Sequence, residues 1–212
     1  MRRFSVGSWL AGFGTLVSLS CSAGETTPPA APSSPESGSA PGLDWPLPEG
    51  WTPETIPFPL GFAPGIPFHG LEELRFAPGF FKPDTSTYWT YAFAWWLDDP
   101  PSFDAASISP VLREYFAGLS GAVGGDKYPM DPERFRVELE SRTEGGQRLL
   151  VGQVFSYDPF VTGDPIVLNI EVRQRDCSRT GRRAMTFLLS PKPAGDPVWD
   201  DLHACELALR CE

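Results

Sequence analysis

Two histidines, His69 and His203, are the scarcest side chains able to move protons near neutral pH. His69 sits in Pro67-Phe68-His69-Gly70, a proline-rich stretch, and His203 sits beside the apolar face of a predicted C-terminal helix. Neither stands next to a nucleophile motif. Gly118-Leu119-Ser120-Gly121 falls one residue short of G-x-S-x-G, and its helix-end context is not the strand-to-helix elbow that exposes such a serine. Paired acids occur at Asp98-Asp99 and Asp200-Asp201. Neighbouring residues on a strand point to opposite faces, so Asp98-Asp99 reads as a strand end. Asp200-Asp201 reads as a solvated first helical turn, where negative charge suits the helix dipole. The loop Asp158-Pro159-Phe160-Val161-Thr162-Gly163-Asp164 offers oxygens to calcium but at low ligand density, and reads as a turn. No catalytic residue, metal site or cofactor is expected from these groups.

Arg173, Arg175, Arg179, Arg182 and Arg183 gather around one predicted hairpin in a chain of formal net charge −10. The patch could meet an anionic head group or polysaccharide, but Glu171 and Asp176 interleave it, so it reads as a balanced hairpin tip. The acidic balance and the lack of a basic stripe exclude nucleic acid as a partner. Four cysteines complete the reactive set: Cys21, Cys177, Cys205 and Cys211. Cys177 lies in the turn before the last long strand, and the final helix should run back antiparallel to that strand. That brings Cys211, at the end of the helix, near Cys177 and favours this pairing over the alternative Cys177–Cys205; the leftover cysteine is then a buried, inert thiol. A Cys177–Cys211 bond would stabilise by about 4 kcal/mol in the chain-entropy model.

The N-terminus carries Arg2-Arg3 and then an apolar stretch broken by Gly7, Gly12 and Gly14, the pattern of a secretory signal over residues 1–20. Val17-Ser18-Leu19-Ser20-Cys21 follows it. These residues resemble the lipobox of bacterial lipoproteins, with small Ser20 directly before the cysteine. Ser18 stands where leucine is usual, and Leu19 where a small residue is commoner. The resemblance implies lipidation of Cys21 and anchoring to a bilayer; Ser22 after it implies the outer membrane of a Gram-negative cell. The alternative is ordinary cleavage after Ala23, which discards Cys21. Residues 21–43 continue as a Pro/Ser/Ala tether with almost no large apolar side chain, too little to offset ordering entropy.

Beyond the tether, residues 44–83 hold nine prolines among spaced aromatics such as Trp45, Trp51, Phe58 and Phe68. Proline excludes helix and central strand over most of this stretch, so it reads as an extended arm pinned onto a core at 84–212. Phe62-Ala63-Pro64-Gly65 and Phe76-Ala77-Pro78-Gly79 suit type II turns. Leu71–Phe76 reads as a first strand leading into the most apolar run of the mature chain, Tyr88–Leu97. With period two, Trp89, Tyr91, Phe93, Trp95 and Leu97 share one face, and Tyr88, Thr90, Ala92, Ala94 and Trp96 the other. Asp104 or Ser107 caps a helix whose Pro110 fits only the first turn and whose glycines from Gly118 onward end it. Four strands follow: one through Phe135–Glu140, then Arg148–Tyr157, Ile166–Gln174 and Arg182–Leu189. A helix opened by Asp196-Pro197 closes the order.

The expected fold is therefore α+β: one antiparallel sheet of about six strands, with a helix after strand 2 and a C-terminal helix packed on it. In element order this looks like the PsbP/Mog1-type sandwich. Gly50-Trp51-Thr52-Pro53-Glu54, Glu72 to Gly79, Trp95-Trp96-Leu97 and Ser190-Pro191-Lys192-Pro193 are similar to segments of uncharacterised exported proteins of Gram-negative bacteria, which bring no activity with them. The first helix should cover the Trp89/Phe93/Trp95 face of the aromatic strand. The other face has only the arm to cover it; if it stays open, Tyr88, Thr90 and Trp96 wall a ligand groove, and if not, they are core. The functional expectation is an anchored, non-catalytic binding or scaffolding domain that meets an envelope protein or glycan. Its rival is a hydrolase of envelope polysaccharide using carboxylates that only folding brings together.

Overall fold

A computed structural model describes residues 43–98 and 102–211. The signal, Cys21, most of the tether and Asp99 lie outside the described residues. Those described fall into one compact unit of α+β architecture. A seven-stranded antiparallel sheet runs β2-β3-β4-β8-β7-β6-β5, and a two-stranded ribbon pairs β1 with β9. The strands are β1 Leu43–Asp44, β2 Thr52–Pro57, β3 Gly70–Phe76, β4 Tyr91–Leu97, β5 Arg136–Glu144, β6 Gln147–Tyr157, β7 Pro165–Cys177, β8 Arg182–Ser190 and β9 Arg210–Cys211. Helix α1 spans Ala105–Gly124 and α2 spans Val198–Ala208.

The strand beyond the expected six is β2, drawn from the proline-rich arm. Pro53 and Pro57 lack the N–H a central strand needs, but β2 is an edge, paired only with β3 from Thr52↔Phe76 to Pro57↔Leu71. The rest of the arm folds back as a strap. Phe58 N–H donates to the Gly70 carbonyl at 3.0 Å, and Phe58 and Phe68 pack on Trp95 with centroids 5.7 and 5.8 Å away. Both Ala-Pro-Gly turns close, Ile66 N–H to Ala63 O and Phe80 N–H to Ala77 O. Only Gly79 takes the positive φ of a type II turn, +93°; Gly65 does not, which corrects the first of the two turn assignments.

The aromatic strand is shorter than its apolar run. Thr85–Tyr88 and Thr87–Thr90 turns fold the chain before Tyr91, and Trp89 takes a left-handed φ of 53°, so alternation begins only at Tyr91. From there the two faces are as different as the residue types imply. Tyr91, Phe93, Trp95 and Leu97 join α1 side chains Ile108, Leu112, Tyr115 and Phe116 in the larger core. Phe93 is stacked between Phe187 of β8 at 4.3 Å and Tyr115 of α1 at 5.3 Å. Ala92, Ala94 and Trp96 form the smaller core with α2, Leu43 and Trp45. That face is covered, chiefly by the C-terminal helix and by Trp45, whose Nε1 donates to the Cys205 carbonyl at 2.8 Å. Thr90 and Trp96 are completely buried.

Helix α1 starts at Asp104, whose carboxylate accepts from Ser107 N–H at 2.8 Å while Ser107 Oγ accepts from Asp104 N–H at 2.9 Å. That start places Pro110 at the sixth helical position, in the second turn rather than the first. The helix also runs through Gly118 and Gly121 instead of ending at them. Gly118 lets the strap approach: a Cβ there would stand 2.1 Å from the Phe62 carbonyl oxygen. At the β5–β6 hairpin Gly145 and Gly146 both take positive φ, as a two-residue turn requires. Cys177 and Cys211 form a disulfide with Cα atoms 5.4 Å apart, tying the β7–β8 turn to the β1–β9 ribbon, and Cys205 is free and buried.

Candidate binding face

Side chains on one side of β5, β6 and β7 follow from alternation and register. Across those three strands the rows are Arg136-Phe155-Val167, Glu138-Gln153-Asn169, Glu140-Val151-Glu171 and Arg142-Leu149-Arg173. On the reverse side, Val154, Leu168, Ile170 and Val172 are buried in the core shared with α1. Helix α2 packs over β4 and β8, which leaves much of this three-strand face uncovered. A groove of about 480 Å³ lies there, floored by Glu138, Glu140, Gln153, Asn169 and Glu171 and walled by Ala194 and Trp199.

Its polar groups are held in place from below and beside. Gln153 Nε2 donates to Asn169 Oδ1 at 3.2 Å, and Asn169 Nδ2 donates to the Lys192 carbonyl at 2.9 Å. The same carbonyl accepts from Trp199 Nε1 at 3.1 Å, fixing the loop after β8 as the wall. His203 Nε2 meets Glu171 Oε2 at 2.9 Å. Arg136 pairs with Glu138 at 2.6 Å and lies 3.6 Å over the Phe155 ring, and Arg142 Nε donates to Glu140 at 2.8 Å. Arg173 bridges Glu144 and Glu206, the latter at 3.2 Å. Burial lowers the Arg173 pKa, but the carboxylates of Glu144, Glu206 and Glu171 outweigh it and leave the guanidinium more firmly charged. The face is dense in donors and acceptors and acidic on balance: Glu138 and Glu140 have one arginine each, while Arg173 alone meets Glu144, Glu171 and Glu206.

Other residues with chemical potential are spent on structure. Arg182 pairs with Asp98 at 2.7 Å, Arg183 with Asp176 at 2.6 Å, and Arg175 donates to the Leu209 carbonyl at 2.7 Å, so these hairpin arginines are engaged within the fold. Ser120 is buried, with its Oγ 3.5 Å from Ser156 Oγ, and no histidine beside it. His69 is exposed on the strap, away from the groove lining. Asp200 and Asp201 are exposed in the first turn of α2. The Asp158 carboxylate is taken up by its own loop and by Tyr88. Its Oδ1 accepts from Phe160 and Val161 N–H, and its Oδ2 from Thr162 N–H and the Tyr88 hydroxyl. Burial pushes the Asp158 carboxyl up, but those donors, Tyr88 first, together hold it below the usual carboxylate range. Among the described residues no cluster of His, Cys, Asp and Glu could hold a metal.

Tyr88, Thr90 and Trp96 do not form a groove. Tyr88 precedes the strand and ties its turn to the Asp158 loop, Thr90 Oγ1 bonds Ser190 Oγ at 2.8 Å, and Trp96 is sealed beneath the α2 core. The groove residues themselves carried a faint signal in the sequence, the outward positions Gln153, Asn169 and Glu171 of two predicted strands. Which outward face stays uncovered depends on where α2 lands, and that is a tertiary fact.

No protein-family model matches this chain, and no curated protein matches it significantly. No helix among the described residues is long and apolar enough to cross a membrane.

Proposed function

We propose that this chain is an exported, non-catalytic binding domain of the bacterial cell envelope, anchored through Cys21, that takes a neutral glycan segment on the open face of β5–β7. The groove floored by Gln153, Asn169, Glu138, Glu140 and Glu171 carries the reading. Side-chain amides and carboxylates fixed by their neighbours match the alternating donors and acceptors of sugar hydroxyls. A lining with more carboxylates than arginines suits an uncharged ligand better than an anionic one. A protein partner would want an apolar centre, whereas here Phe155 is capped by Arg136. The disulfide supports export, since such bonds persist in oxidising compartments. The lipobox-like leader and the tether support the anchor.

The direct test is retention of the protein on immobilised envelope polysaccharide and neutral oligosaccharides, comparing wild type with Gln153→Ala/Asn169→Ala. Binding that falls at least tenfold in the variant supports the reading; no retention on any glycan sinks it. Labelling cells with a fatty-acid probe tests the anchor, and an unlabelled wild type removes it. A second reading has one observation behind it. Glu140 and Glu171 stand in one row across Val151, two strand spacings or roughly 10 Å apart along the sheet. Carboxylates at about 6.5–9.5 Å serve inverting glycoside hydrolysis. Release of reducing ends from the same polysaccharide, lost in Glu171→Gln, would favour this second reading over binding alone.

A further inference from the structure

Among the described residues Glu72 is a carboxylate set into the large aromatic core between β3 and α1. On β3 it faces α1, opposite Trp95 of β4 and Ile56 of β2, and is completely buried. Trp95 Nε1 donates to its Oε1 at 3.1 Å, while Oε2 has no partner, and neither does the buried Tyr91 hydroxyl on the same face of β4. Each packed element contributes a known charge or none. From α1 comes the Tyr115 hydroxyl, and from β2 comes Glu54, whose charge repels that of Glu72. Arg113 and Glu114 of α1 turn elsewhere, to the Phe135 carbonyl and to Gly65. The strap brings Phe58 and Phe68, and β8 brings Met185 and Phe187. On β3 itself, Arg75 and Glu73 pair at 3.1 Å next to Trp45, in the layer opposite Glu72. Burial, with Glu54 adding to it, pushes the Glu72 carboxyl up to about 7, against the Tyr115 and Trp95 hydrogen bonds.

Ionising this group leaves a charge with only two neutral donors, the Trp95 indole and the Tyr115 hydroxyl, and no offsetting cation among the described residues. Water can reach it most readily by displacing the cover that is least firmly hydrogen-bonded. That cover is the edge strand β2 and the proline-rich strap 58–69, where the prolines donate nothing. We propose that Glu72 is a proton-operated latch: protonated, it keeps β2 and the strap closed over the α1 face, and ionised, it releases them together. Opening would bare the outer edge of β3, a row of N–H and C=O groups able to pair with another chain.

Hydrogen exchange of the full chain, corrected for the intrinsic pH dependence of exchange, tests the latch. An open-state carboxyl near 4.5 and a closed-state one near 7 make opening on the order of 30-fold more frequent at pH 8 than at pH 5.5. Protection of amides in 54–58 and 66–70 should fall by that factor, while α2 and β6 keep theirs. Glu72→Gln should abolish the difference, and Glu54→Gln, which leaves Glu72 in place, should move the midpoint to lower pH. A wild-type change below threefold in 54–58, or an equal loss of protection in α2 and β6, overturns the latch. So does a pH dependence that survives in Glu72→Gln.

Discussion

Breaking the Cys177–Cys211 bond tests how the C-terminal region is held. The bond closes a loop with a sequence separation of 34 and joins the β7–β8 turn to β9. In the chain-entropy model a loop of that length contributes about 4 kcal/mol by restricting the unfolded chain. The native contacts nearby do not depend on it: Arg175 still bonds the Leu209 carbonyl, Trp45 still bonds the Cys205 carbonyl, and Leu43 and Leu209 stay in the α2 core. Cys177→Ser/Cys211→Ser should therefore fold and unfold cooperatively with a Tm lower by roughly 10 °C, at about 2–4 °C per kcal/mol for a domain of this size. Thermal and urea unfolding followed by circular dichroism would measure it. The urea m-value should rise, because a chain without the cross-link exposes more surface when unfolded. Cys205→Ser serves as the comparison. Its thiol is pushed up to about 12 by burial, against Arg75 and Trp45, so it is not poised for exchange. A loss under about 1 kcal/mol on removing the bond, or an unchanged m-value, would refute the entropic account, and peptide mapping that links Cys177 to Cys205 would refute the pairing itself.

Global stability should fall as pH rises from 4.5 to 7. The folded pKa of Glu72 lies above its ordinary value of 4.5, at about 7, so its favourable contribution is complete below 4.5 and is lost through that window. The loss is about 3 kcal/mol at most in urea unfolding at pH 5 and pH 8, and an unchanged midpoint contradicts it. Gly118→Ala should cost roughly 1–3 kcal/mol, because its Cβ meets the Phe62 carbonyl oxygen. Gly121→Ala meets nothing and should stabilise by about 0.5–1 kcal/mol. Equal effects of the two substitutions on Tm would show that the strap does not press on α1. Asp158→Ala leaves three loop amides and the Tyr88 hydroxyl without their acceptor, a cost of about 1–3 kcal/mol. Added calcium should not change the wild-type Tm, and a rise with calcium would show that this loop binds an ion after all.

Much of the fold is written in local pattern. The Asp104 cap and the four strands from Phe135 onward follow from short-range chemistry, and the antiparallel sheet includes all four. For the cysteines the sequence favoured Cys211 over Cys205 as the partner of Cys177, because a helix running back along β8 ends near it, and the fold decides for Cys211. Where local reading departed from the fold, a distant contact decided. Pro53 and Pro57 can belong to a strand because β2 has a free edge, and edge position is a property of the whole sheet. Tyr88 and Trp89 share the hydrophobicity of β4 but turn away from it, drawn to Asp158 and to the Phe80 side of the core. The uncovered face of β5–β7 and the burial of Glu72 have no local signature either. A glutamate in the Leu71-Glu72-Glu73-Leu74 run of an edge-proximal strand looks solvated until a strap and a helix close over it, and a polar outward row becomes a groove only because α2 settles over β4 and β8. Burial is decided by which layers meet, and residues far apart in the chain decide that together.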